Sequence, residues 1–305
     1  MSLEANDMSV VPGWFERGLA DPGERQEVEV DGVPIRFLTW GNVGSPGLIL
    51  IHGSNAHARW WQFVAPFLAD KFRVAAIDLS GNGDSGWRER YSGEQYATEV
   101  MAVCDAAQLG EAPVVIGHSF GGYVALETGY RHDAALGGVM FFDFTVNAPE
   151  AYYEWGNKLA TDGKSARPTR VYEDLAAATR RFRLLPEQPS RCPGLMDWLA
   201  GESLREVPGG WTWKFDPSMY DFLTMGPGQR DKFLAITSPT ALVTGQLSTD
   251  EGALAGDYML ELTRGMLPVI ELPGTHHHFM FEEPLAVVAV IKATVLGWLD
   301  VRAHG

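Results

Sequence analysis

Cysteine is nearly missing from this chain of 305 residues: there are two, Cys104 and Cys192. Two thiols cannot build a disulfide framework, so a packed core must hold the fold, and a reducing, cytoplasmic location is the expectation. Cys104 lies in a helix-like segment and reads as a small buried apolar side chain. Positive charge is also scarce. Lys and Arg number 24 against 39 Asp and Glu, a formal net charge of −15, which argues against nucleic acid and anionic membrane surfaces as partners. The opening stretch "MSLEANDMSVVPGWFERGLA" has no basic start leading into an apolar run, so it does not read as a secretory signal. No apolar run stands out as long enough to cross a bilayer, and no membrane partner is expected. Internal repeats and low-complexity tracts are missing too. The glycine loop "DLSGNGDSG" at residues 78–86 has no Lys-Ser/Thr pair after it, so it is not a phosphate-binding P-loop. It reads as tight turns beside a pocket.

What is present is an ordinary globular share of hydrophobic residues, 46%, arranged as alternating strand and helix signals. "QEVEVDGVPIRFLTWG" reads as two strands joined by an Asp31-Gly32 hairpin turn. "GLILIHG", "FRVAAIDLSG", "PVVIGHS", "LGGVMFFDF", "PTALVTG" and "LPVIELPG" read as short strands, mostly apolar on both faces. "RWWQFVAPFLAD" and "EQYATEVMAVCDAAQLG" read as helices between them. Doubly apolar strands separated by helices predict a mostly parallel sheet with both faces covered. Residues 145–236 break this rhythm. They show no buried-strand pattern and are too many for a structureless loop. They are expected to form a helical cap inserted between two late strands, over the carboxyl edge of the sheet. The division is then residues 1–27 as an N-terminal extension, 28–144 and 237–305 as the core, and 145–236 as the cap.

Three stretches carry chemistry. "VVIGHSFGGYVAL" at residues 114–126 places Ser119 between Gly117 and Gly121 where a strand becomes a helix. This is the G-x-S-x-G elbow: the glycines remove Cβ atoms that would collide in a very tight turn. The helix beneath offers free N–H groups to a developing anion. "LIHGSNAHARWW" ends a buried strand in a small polar loop beside Ser119. The backbone N–H of Phe120, with that of Asn55 or alternatively Ser54, would make a two-donor oxyanion hole. "ELPGTHHHFMFEEP" carries His276, His277 and His278 after a strand. Adjacent histidines point in divergent directions and no separated Cys or His completes a ligand set, so no metal and no cofactor is expected. A base for Ser119 is the better reading, since imidazole titrates near neutrality.

Taken in order, the His-Gly loop, the D-x-x-G-x-G-x-S loop, the G-x-S-x-G elbow and a late G-x-x-H before E-x-P resemble the α/β-hydrolase superfamily over about residues 28–301. The resemblance implies a Ser–His–acid triad and hydrolysis of a small-molecule substrate. In relatives the catalytic histidine lies seven residues before the proline of the last motif, which here gives His277. The usual acid lies three residues past the glycine of "TALVTG", where this chain has Ser248. Asp143, ending the strand "VMFFDF", is taken as the acid, with Asp250, two residues beyond Ser248, as the alternative. A serine esterase acting on an apolar or aromatic group is the expected function, suggested by the aromatic cap stretches "YYEW", "WTWKF" and "MYDF". A carbon–carbon bond hydrolase of the same fold and a catalytically silent ligand-binding homologue are the alternatives.

Overall fold

The computed structural model describes residues 11–150, 169–190, 192, 194–225, 228–250 and 253–304. Strands β1 (Glu24–Val30) and β2 (Val33–Trp40) pair antiparallel across a two-residue turn. That turn needs positive φ at both positions. Asp31 (φ 49°) and Gly32 (φ 76°) supply it. The remaining strands of the large sheet are β3 (Gly47–Ile51), β4 (Arg73–Ile77), β6 (Val114–His118), β7 (Gly138–Phe142), β11 (Thr240–Gly245) and β12 (Val269–Leu272). The sheet has eight strands in the order β1-β2-β4-β3-β6-β7-β11-β12, parallel from β4 to β12.

The period of two along each strand splits its side chains between two cores. Leu48 and Leu50 of β3, Ile116 of β6, and Met140 and Phe142 of β7 face one side. Ile49, Ile51, Val115, Val139 and Phe141 face the other. The helices Gly93–Ala106 and Phe120–His132 cover the second side. The first side is covered by the closing helix Pro284–His304 and by "RWWQFVAPFLAD". The latter is not one helix. It breaks into a 3₁₀ turn, Ala58–Trp61, and a single helical turn, Ala65–Leu68, because Pro66 can start a helix but not continue one.

Within the stretch read as an N-terminal extension, a helix at Gly13–Ala20 stacks Phe15 on Phe63 with ring centres 4.9 Å apart, and β1 begins at Glu24. Two expectations need correction. The closing helix is apolar enough over Pro284–Arg302 to cross a membrane by length and composition alone. Here it docks on the sheet through Val287, Ile291 and Val295, and its Lys292 pairs with Asp70 at 2.6 Å. Finally, the segment 145–236 is not simply helical. It contains the short helices Leu175–Thr179 and Leu195–Glu202, but also a hairpin of β8 (Leu204–Val207) and β9 (Gly210–Trp213). Its β10 (Leu223–Thr224) adds to β5 (Tyr91–Ser92) as a separate parallel pair. "VPGGW" is a hairpin turn, with Gly209 and Gly210 both at positive φ. The helix Gln229–Ala235 belongs to the core: Phe233 packs against Phe141 of β7, and Lys232 pairs with Glu127.

Candidate active site

Strand β6 delivers Ser119 into a turn with φ 54° and ψ −120°, an uncommon conformation for a residue with a side chain. The glycines around it allow close approach. A Cβ on Gly117 would meet the Gly121 carbonyl oxygen at 2.0 Å, and one on Gly121 would meet the carbonyl oxygens of Ile51 and His52 at 2.5 and 2.6 Å. Gly121 therefore lets the helix Phe120–His132 press against the end of β3, where the His-Gly loop begins. Gly117→Ala is expected to destabilise the fold by about 3 kcal/mol or more, because the obstruction is backbone rather than a movable side chain. Urea unfolding checks it.

The histidine and its acid meet in the same region. Strands β7 and β11 are parallel neighbours, with Phe142 opposite Val243. Asp143 follows Phe142 at φ 46°, 1% exposed, its own N–H bonded to the Val243 carbonyl at 2.8 Å. Its Oδ1 accepts from the Gly245 N–H at 2.9 Å. Its Oδ2 accepts from His277 Nδ1 at 2.6 Å and from the Ser248 hydroxyl. Gly245 has a second role. A Cβ there would strike the His276 carbonyl oxygen at 2.3 Å, so only glycine lets the histidine loop close over β11. Asp250 lies on the opposite edge of the ring, its Oδ2 3.9 Å from His277 Nε2, beyond hydrogen-bond distance.

The three consecutive histidines have separate surroundings. His276 donates from its backbone N–H to Glu282 Oε2 at 2.6 Å, and its Nδ1 bonds Glu282 Oε1 at 2.8 Å, which fastens the loop. His277 takes Asp143. His278 faces the inserted segment: its N–H donates to Gln188 Oε1 at 2.7 Å and its Nε2 to the Leu185 carbonyl at 3.2 Å.

Ser119 opens on two cavities. One, of about 680 Å³, is lined by Ser54, Asn55, Ser119, Asp250 and His278 from the core, with Tyr172, Phe182 and Trp213 above. The other, of about 200 Å³, is bordered by Ser54, Ser119, Phe120, Asp143, Tyr220 and Asp250. Residues of the inserted segment thus line both cavities that Ser119 borders. Ser54 borders both cavities and Asn55 one. "WTWKF" and "MYDF" contribute Trp213 and Tyr220 to these linings, whereas "YYEW" lies outside the described residues. A third cavity, of about 330 Å³, lies elsewhere around Arg36, Arg59 and Lys214. These three pair with Glu27, Glu202 and Asp84 at 2.5–2.9 Å, and Ser119 does not border it.

Two contributors had no assigned role in the sequence. His118 stands inside the elbow motif, yet its ring is buried and its Nε2 donates to the His277 carbonyl at 2.9 Å. Ser248, three residues past Gly245, donates its hydroxyl to the Asp143 carboxylate. The first gave no signal beyond its place beside Ser119. The second could have been read from its spacing after Gly245.

Burial keeps several of these histidines neutral. Desolvation lowers His52 to about 4, and it also holds His57, His118 and His278 well below the ordinary imidazole range. A base whose folded value is depressed binds fewer protons folded than unfolded, so stability falls as pH drops below about 6.5. His52 alone removes about 2 kcal/mol between pH 6.5 and 5. Asp78, raised by burial to about 6, and Glu99, also raised, act in the opposite direction. Four histidines against two carboxylates should leave the protein less stable at pH 5 than at pH 7, read as a lower Tm.

Comparison with known proteins agrees with this architecture. The esterase Rv0045c of Mycobacterium tuberculosis is 27% identical over 92% of this chain and 91% of its own length. Two other curated relatives match in part. The chain spans 27% of an acetyltransferase component of the acetoin cleaving system from Pseudomonas putida at 35% identity, and 45% of a haloalkane dehalogenase from Sphingobium indicum at 26%. Among solved structures, a thioesterase domain from the curacin biosynthetic pathway superposes with a TM-score of 0.71 at 22% identity, covering 88% of this chain and 98% of that one. The model of the Alpha/beta hydrolase family matches residues 48–290, and the chain belongs to that family.

Proposed function

We propose that this hydrolase is serine-dependent and cleaves a carboxylic ester, or a similar acyl bond, of a small substrate with an apolar or aromatic group. The observation that carries the reading is the His277–Asp143 pair at 2.6 Å, buried beside a serine held at φ 54° between glycines. Asp143 accepts the Nδ1 proton of His277, which leaves the Nε2 lone pair free to act as base. Ser119 Oγ attacks the carbonyl carbon and its proton passes to Nε2. The oxyanion is met by the Phe120 N–H, first in its helix, and by an N–H of the loop at Ser54 and Asn55. The imidazolium then protonates the leaving alcohol oxygen as the carbon–oxygen bond breaks. Water repeats the sequence on the acyl-enzyme, and the acid leaves.

Tyr172, Phe182 and Trp213 over Ser119 support an apolar or aromatic substrate group, and about 680 Å³ is room for one of drug-like size. Asp143 supplies the carboxylate missing at position 248, which weakens the case for a silent binding protein. Similarity to an esterase over most of both chains supports the reaction class. The test is a panel of p-nitrophenyl esters with short, long and aromatic acyl groups, run beside a fluorophosphonate probe. Turnover of several esters, with the label on Ser119, is expected. No turnover of any ester together with no label on Ser119 would sink the proposal.

A further inference from the structure

Three imidazole rings meet behind Ser119, and each has one nitrogen already committed. His118 donates its Nε2 proton to the His277 carbonyl. His278 donates its Nε2 proton to the Leu185 carbonyl. His277 donates its Nδ1 proton to Asp143. A carbonyl or carboxylate oxygen can only accept, so each bond fixes a tautomer and leaves the other ring nitrogen with a bare lone pair. Those are His118 Nδ1, His278 Nδ1 and His277 Nε2. The first two are buried and have no hydrogen-bond partner. Their residues are 1% and 4% exposed.

The rings lie close together. Their centres are 4.7 Å apart for His118–His277 and for His277–His278, and 5.3 Å for His118–His278. Taking one nitrogen from each, the three lie within 4.8 Å of one another. A tetrahedral zinc ion at about 2.0–2.1 Å from each imidazole nitrogen needs nitrogens somewhat closer than that, so the rings must move inward by about an ångström or less. Metal-bound histidines characteristically give their second ring nitrogen to a carbonyl or carboxylate, and all three already do so here. Burial also keeps His118 and His278 neutral, the form that ligates.

We propose that His118 Nδ1, His277 Nε2 and His278 Nδ1 form an inhibitory site for a divalent transition metal ion of the zinc class. His118 and His278 border the cavity that Ser119 also lines, from which water would supply the fourth ligand. Sequence reading dismissed a metal because adjacent histidines diverge. The fold supplies the separated histidine, His118, which lies 159 residues from His277. Binding itself is independent of the proposed reaction. The consequence for turnover rests on that reading, because the ion occupies the lone pair that receives the Ser119 proton. His276 is outside the site: Glu282 holds its Nδ1.

The experiment titrates Zn²⁺ into chelator-treated full-length protein by calorimetry, with Co²⁺ as an absorption probe of tetrahedral coordination. One equivalent of Zn²⁺ should bind, and Co²⁺ should give intense visible bands. His118→Ala and His278→Ala should each weaken binding by about tenfold or more, whereas His276→Ala should leave it unchanged. Ester turnover by the unmodified protein should fall with the same Zn²⁺ midpoint and return with EDTA. Thermal melts accompany each variant. If His118→Ala does not fold, His278→Ala and the Co²⁺ spectrum of the unmodified protein decide. No stoichiometric binding, or binding that survives both substitutions, would overturn the site. Zinc binding with no turnover of any ester and no fluorophosphonate label on Ser119 would instead leave the site standing and overturn the proposed reaction.

Discussion

Ser119→Ala should remove ester turnover by about a millionfold, and His277→Ala should match it. In the proposed mechanism the two act as one unit. Without the hydroxyl there is no nucleophile, and without the imidazole nothing takes its proton at neutral pH, so the double variant should be hardly worse than either single one. A residual rate above that in water is expected, because the Phe120 N–H and the cavity do not depend on either side chain. Ser119→Ala should remain folded: it removes one oxygen and keeps the Cβ that the tight turn already accommodates. Fluorophosphonate labelling should vanish in the alanine variant. Undiminished labelling or turnover would show that the nucleophile lies elsewhere. His276→Ala provides the internal control. It breaks the fastening to Glu282 at 2.8 Å and should cost about tenfold or less, by loosening the loop rather than by removing the base.

The parts of this protein governed by local rules were legible in its sequence. The Asp31-Gly32 turn, the doubly apolar strands and the elbow glycines each follow from sterics or periodicity over a few residues. The order of the parallel strands puts β7 beside β11, which brings Asp143 and the loop after Gly245 to one place. What escaped depends on distant partners. The cap hairpin at 204–213 is half exposed and rich in Trp and Gly, so it lacks the apolar alternation that marks a strand. The N-terminal helix is held by Phe63, almost fifty residues away. Short, partly exposed pairs such as β5–β10 have too few residues to show any period. His118 looked like a spacer in the motif because its partner comes from the opposite end of the chain.

Asp143→Asn should lower kcat by about ten-thousandfold with little change in fold, the size of effect a wrong tautomer produces in serine proteases. The carboxylate accepts from three donors: the Gly245 N–H, the Ser248 hydroxyl and His277 Nδ1. An asparagine has one oxygen and an NH₂ group in their place. If the oxygen keeps the Gly245 N–H, which is fixed by the backbone, the NH₂ faces His277. The ring is then driven to accept at Nδ1 and to carry its proton on Nε2, where it can no longer take one from Ser119. The buried setting enlarges the effect, since a neutral amide also fails to stabilise the imidazolium in a poorly solvated site. Asp250→Asn should cost less than about tenfold: its carboxylate sits 3.9 Å from Nε2, the nitrogen proposed to take the serine proton, beyond hydrogen-bond distance. Ser248→Ala should fall between the two, at about tenfold, because it removes one hydrogen bond to the acid and leaves the charge in place. The three variants are ranked by kcat on one ester under saturating conditions. If Asp250→Asn proves the severe variant and Asp143→Asn the mild one, the orienting acid has stayed on the loop after β11, and the 2.6 Å contact with Asp143 is structural only.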